Sequence, residues 1–143
     1  MTNEGYSKLI EFEGEKFSAY PDSLGYLTIG IGHCIDERKG CGISQRISRL
    51  IYDEDIARAT ATARANFEWF DALDPVRQDI IVMLIFNLGV NGLNAFHLML
   101  QAFSEHAWHE AAFQLANSLR GRKQIGLERK RAECNAIELG KWV

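Results

Sequence analysis

The sequence predicts an α+β fold that is mostly helical. A small strand-forming lobe near the N-terminus is joined by a long helix to a helical C-terminal lobe. Three observations predict it. Tyr6, Leu9, Ile10 and Glu13 recur at helical spacing. Leu27, Ile29 and Ile31 then alternate with Tyr26, Thr28, Gly30 and Gly32, which is the period of a strand. From Ser44 the apolar pattern is helical almost to the end.

The elements follow in order. The first helix covers residues 3–13, with Asn3 as N-cap and Gly14 as the C′ stop, which puts Glu13 in the last turn of a buried stripe. Pro21 to Gly25 supplies a turn, and the β-containing lobe is read as about 14–43. One face of its strand is aliphatic. The other offers a phenol, a hydroxyl and two bare backbones, against which a flat polar ligand can lie closely. Tyr52, Ile56, Ala59 and Ala63 form the stripe of a connecting helix over about 44–66. Asp74 and Pro75 are an N-cap followed by proline at N1, and Val76 to Phe86 is apolar nearly all round, as in a central buried helix. Asn87 to Gly92 breaks that helix. Further helices are expected around Phe96, Leu100 and Phe103, along Trp108, Ala112, Leu115 and Leu119, and from Leu127 to Leu139, stopping at Gly140. The helical lobe is read as about 67–143, packed with helix 3–13, and the whole of 1–143 as a single domain.

At 143 residues, 47% hydrophobic and 24% charged, the composition is that of an ordinary globular domain. The N-terminus has no basic segment followed by an apolar one, so no secretory signal is expected. The longest wholly apolar run, Ile80 to Phe86, is seven residues, too short to cross a bilayer. A soluble protein made in a cytoplasm is the expectation. Three cysteines do not read as a disulfide framework, although Cys34 and Cys41 are placed to pair across a short loop in an oxidising compartment. His106, His109 and Glu110 have a faintly metal-like spacing without matching ligands and read as a solvated helix face, so neither metal nor cofactor is expected. Gly30-Ile31-Gly32 lacks the third glycine and the following helix of a dinucleotide loop. The net charge of −3 is uneven: residues 1–36 carry −4 and residues 120–143 carry +4. The basic end either attracts an anionic polymer or is a solvated helix face.

Glu13, Asp22 and Thr28 carry the chemistry. One carboxylate ends a helical stripe, the second lies in a polar turn, and a hydroxyl follows on a strand. Two carboxyl groups in unlike surroundings suit acid-catalysed cleavage of a glycosidic bond, where one donates a proton while the other stays ionised. Burial and the helix C-terminus would both favour the protonated form of Glu13.

The run Glu13 to His33 resembles the signature of the phage-type lysozymes, glycoside hydrolase family 24. The Glu-(eight residues)-Asp-(five residues)-Thr spacing and the string from Gly25 through Thr28 to His33 carry the likeness. It extends through Leu73 to Arg77, Phe86 to Gly89, Gly92 to Phe96, Glu110 to Ala112 and Gly140 to Trp142. The resemblance implies a lysozyme-like two-lobe fold with a peptidoglycan-binding cleft between the lobes. It implies Glu13 as general acid, Asp22 as second catalytic carboxylate and Thr28 as a water-positioning hydroxyl, acting with inversion. Phe86 and Gln114 match saccharide-contacting positions. Arg129, or else Lys130 or Arg131, matches a cation facing Glu13, and His33 with Asp55 matches a supporting pair. Its expected partner is peptidoglycan glycan strands, with no nucleic acid and no membrane insertion. The implied biology is a monomeric endolysin that depends on a separate holin-like membrane pore, made in the host cytoplasm and acting in the periplasm. A tail-associated lysozyme, a non-catalytic saccharide-binding module and an enzyme acting on chitin are the alternatives. The chain departs from the pattern between His33 and Ile43, where it is shorter than larger members, and at Cys34 and Met99, which replace substrate-touching residues.

Overall fold

Thr2 starts the first helix, because its hydroxyl reaches the free amide of Gly5 at 3.1 Å. The cap is therefore Thr2 rather than Asn3, and α1 spans Asn3–Glu13. Gly14 ends it as expected, at φ 71°, with its N–H donating to the Ile10 carbonyl. The computed structural model describes residues 1–118 and 127–143.

Three antiparallel strands follow in the order β1-β2-β3: β1 is Lys16–Pro21, β2 Leu27–Gly30 and β3 His33–Cys34. Thr28 sits in the middle strand, opposite Tyr20 on one side and Cys34 on the other. The register of β1 and β2 is irregular between Lys16 and Tyr20. The strand's aliphatic face is not its buried one: Thr28 is 4% exposed and Leu27 46%. Burying Thr28 leaves no polar group unsatisfied, since its hydroxyl donates to the Tyr26 carbonyl at 3.2 Å. Asp36 caps a 3₁₀ turn over Glu37–Lys39, which ends at Gly40 in the left-handed region.

α2 spans Gln45–Asn66, one residue inside the expected start. The chain divides into two compact units, Met1–Ile51 and Tyr52–Val143. In the second, Asp74 caps α3, Pro75–Asn94, with Pro75 at its first position. The expected break at Asn87 to Gly92 is found at Gly89, whose φ 67°, ψ 166° is not helical and divides Pro75–Asn94 into two helical stretches that meet at a kink. α4, α5 and α6 are His97–Ser104, Trp108–Ser118 and Leu127–Leu139. Leu119, Arg120, Arg122 and Lys123 lie outside the described residues.

α3 has the length and apolarity of a membrane span. It is nonetheless the centre of this unit's core, with Ile80, Ile81 and Leu84 fully buried among Leu93, Phe103, Leu115 and Ile137. Phe67, Trp69, Phe103 and Trp108 form a chain of ring contacts with centroids 5.0, 5.9 and 6.0 Å apart. Arg77, 4.0 Å over the Trp108 ring, ends the series and ties α3 to α6 by donating to the carbonyls of Ile137 and Glu138.

Candidate active site

Glu13, Asp22 and Thr28 all belong to the unit Met1–Ile51. Glu13 closes α1, and its carboxylate lies against the bare backbone of Gly32. A methyl group placed on Gly32 would come 3.1 Å from Glu13 Oε2. Within its unit Glu13 has no hydrogen-bonding partner. Its expected burial is not found: Glu13 is exposed and α1 buries none of its residues. The reason is that the unit contributes no buried apolar side chain against which the stripe could pack.

Asp22 builds the turn that carries it. Its Oδ1 accepts from the amides of Leu24 at 2.8 Å and Tyr26 at 2.9 Å, and its own N–H donates to the Tyr26 carbonyl. This leaves Oδ2 uncommitted among the described residues. Thr28 is placed similarly. Its proton is engaged by Tyr26, so the hydroxyl has lone pairs to offer and no proton.

Two residues that sequence reasoning passed over hold this turn. Asp36 is 4% exposed, and its carboxylate accepts from the Leu27 amide and from the Arg38 amide and guanidinium. Arg38 Nη2 donates on to the Gly25 carbonyl at 2.8 Å. The Arg38 side chain, and then the Leu27 amide, hold the Asp36 carboxyl well below the usual carboxylate range. The signal was present, since an aspartate two residues past a strand end and two residues before an arginine suits capping a tight turn.

The helical unit holds the remaining candidates. Phe86, half exposed on α3, lines a cavity of about 450 Å³ together with Asp55, Arg58, Thr62 and Gly89. Asp55 pairs with Arg58 beside it. Gln114 donates to Glu110 at 2.7 Å and lines a separate hollow beside Met99, itself buried in the core. Arg129 donates to Glu133, a buried carboxylate whose second oxygen finds no partner among the described residues. His33 and Asp55, expected to support one another, each have a partner inside their own unit, for His33 the Gly42 carbonyl at 2.8 Å. His106 stacks on Trp108, and His109 pairs with Glu138 at 2.5 Å.

The family model for phage lysozyme matches residues 10–133, a stretch that takes in the Glu13 helix end, the sheet and most of the helical unit. The chain belongs to the phage lysozyme family. It is therefore a lysozyme, a glycoside hydrolase. It is similar to Probable T4-type lysozyme 1 of Dictyostelium discoideum, at 30% identity over 74% of this chain and 78% of that one. A second protein of that organism, Probable T4-type lysozyme 2, is 26% identical over the same shares. An Endolysin of Acyrthosiphon pisum secondary endosymbiont phage 1 is 27% identical over 69% of this chain and 66% of its own.

Proposed function

We propose that this peptidoglycan-lytic lysozyme cleaves the β-1,4 bond between N-acetylmuramic acid and N-acetylglucosamine with inversion, using Glu13, Asp22 and Thr28. The observation that carries the proposal is the pair of free acceptors left around the β1–β2 turn. Asp22 Oδ2 and the lone pairs of Thr28 Oγ1 can each accept one proton of a single water. The water oxygen then directs a lone pair at the anomeric carbon. Glu13, protonated, gives its proton to the departing glycosidic oxygen, and Asp22 takes the proton released by the attacking water. Proton exchange with solvent restores both groups. Bare backbone at Gly32 lets the acid approach the sugar with no side chain between them. Phe86, half exposed beside a cavity, offers a stacking surface for a sugar ring, and Gln114 an amide for an acetamido group. A monomer acting as an endolysin, reaching the periplasm through a separate pore, extends this reading to biology. The name of the phage relative supports it.

Proton NMR of the first-formed product tests the proposal. An initial α-anomer from β-linked strands is expected, and an initial β-anomer would make Asp22 a nucleophile. Muropeptide mass spectrometry on purified sacculi identifies the bond, with N-acetylmuramic acid expected at the new reducing end. Glu13→Gln should lose about 10²–10⁴-fold in activity while keeping its melting temperature. Retention of more than about a tenth of the activity would remove Glu13 from the role.

A further inference from the structure

The Asp36 and Arg38 pair is hydrogen-bonded to the backbone of the turn that carries the proposed water-binding groups. Asp36 Oδ2 fixes the Leu27 amide at 2.9 Å, one residue before Thr28. Arg38 Nη2 fixes the Gly25 carbonyl at 2.8 Å, and the Gly25 amide donates to the Asp22 carbonyl at 3.0 Å. Two backbone bonds continue the brace, from Ile35 to the Leu27 carbonyl and from Cys41 to the Asp36 carbonyl. Tyr26 lies between these points, beneath the cations of Arg38 and Lys39. Its amide feeds Asp22 Oδ1, and its carbonyl takes the proton of Thr28. Apart from the Leu24 amide on Asp22 Oδ1, the hydrogen bonds that orient the two water acceptors therefore run through a short stretch, Gly25 to Thr28, which this pair holds at Gly25 and Leu27.

We propose that Asp36 and Arg38 are positioning residues of the lysozyme reaction, setting the separation and aim of Asp22 Oδ2 and Thr28 Oγ1 without touching substrate. The proposal rests on the assignment of Asp22 and Thr28 to the attacking water. Its physical basis is geometric. Arg38 presents several donors in a rigid fork, so one side chain meets Asp36 and Gly25 at the same time, and a lysine ammonium cannot reproduce that span. A misplacement of about 1 Å at reacting groups can cost on the order of 10²-fold in rate. The hydrogen bonds of both side chains run to each other and to backbone groups of the turn.

The test separates position from stability. Arg38→Met and Arg38→Lys are assayed on soluble, uncrosslinked peptidoglycan strands at a temperature where circular dichroism shows each variant fully folded. In Arg38→Met kcat should fall about tenfold or more with KM within about twofold of the parent, and Arg38→Lys should lie between the two. Hydrogen exchange gives an activity-free readout: the amides of Leu24 and Tyr26, which donate to Asp22, should exchange at least about tenfold faster in Arg38→Met. Parent-like kcat with unchanged exchange at both amides would overturn the proposal. Should Arg38→Met fail to fold, Arg38→Lys decides by the same two readouts, and a kcat and exchange equal to the parent would overturn it. Asp22→Asn is run in parallel. If it keeps full activity, the role of Asp22 falls, while the exchange data still report whether the pair holds the turn.

Discussion

Gly32 and Gly30 offer a controlled comparison at Glu13, the carboxylate proposed as the acid. Both have positive φ, 69° and 65°, so an alanine at either carries the same kind of backbone penalty, about 1–2 kcal/mol. Only Gly32 faces Glu13; a side chain at Gly30 would meet open space. Gly30→Ala and Gly32→Ala should therefore lose similar stability by denaturant titration. Gly32→Ala alone should lose about tenfold or more in kcat, by displacing the acid. Equal activity in the two variants would show that the carboxylate yields freely. Asp36 makes a second prediction at this scale. Its carboxyl is depressed in the folded state, so its stabilisation is fully present above the unfolded value near 3.9 and fades as pH falls towards the folded one. The difference in melting temperature between the parent and Asp36→Asn should stay constant from pH 8 to pH 5 and shrink below about pH 4.

Among the elements, α6 is anchored from two neighbouring helices. Arg77 reaches its last turn from α3, also pairing with Asp74 at 2.7 Å, and the Gly140 backbone passes so close that a Cβ there would collide with the guanidinium. Arg77→Met keeps the contact with Trp108 but strands two carbonyls and Asp74. It should cost about 3–5 kcal/mol, read from the urea midpoint. His109 and Glu138 add a pH-dependent tie between α5 and α6. The hydrogen bond to Glu138 raises the histidine pKa. Its contribution is thus complete below the unfolded value near 6.5 and is lost as pH rises through the folded one. Glu138→Gln should lower the melting temperature more at pH 5.5 than at pH 9, and equal losses at both would assign the effect to packing alone. Element ends were legible in sequence at Gly14, Gly140 and the Asp74-Pro75 pair, but not at the start of α1, where Thr2 caps in place of Asn3. The break at Gly89 was legible too, since glycine readily takes a positive φ that ends a helical stretch.

At the scale of the molecule the two units are built on different physics. All twenty buried hydrophobic side chains among the described residues come from Ala59 onwards, whereas Met1–Ile51 buries only Thr28 and Asp36. The first unit is held by capped turns, strand pairing and the buried carboxylate of Asp36 paired with an exposed Arg38, and so small a segment lacks the apolar burial needed for independent stability. Excised residues 52–143 should show helical circular dichroism and a cooperative melt, and residues 1–51 alone should show neither. This contrast also explains what the sequence hid. The helical unit obeys apolar periodicity, which can be read directly. The sheet unit obeys hydrogen-bond accounting, so alternation named two strand faces without showing that Thr28 is buried and Leu27 exposed, and Asp36 went unnoticed although its type and place were in view.

The clasp at the end of α6 has a practical consequence. That helix is bound by the Arg77 bonds, by His109 to Glu138, by the Cys134 thiol on the Ala112 carbonyl and by its packing on α3 and α5. None of these needs an intact peptide link between Ser118 and Leu127. A gene divided there should yield two polypeptides that co-elute on size exclusion and clear cell walls together, each being inert alone. Arg77→Met should abolish the reunion, turning one arginine into the coupling of a two-part lytic reporter.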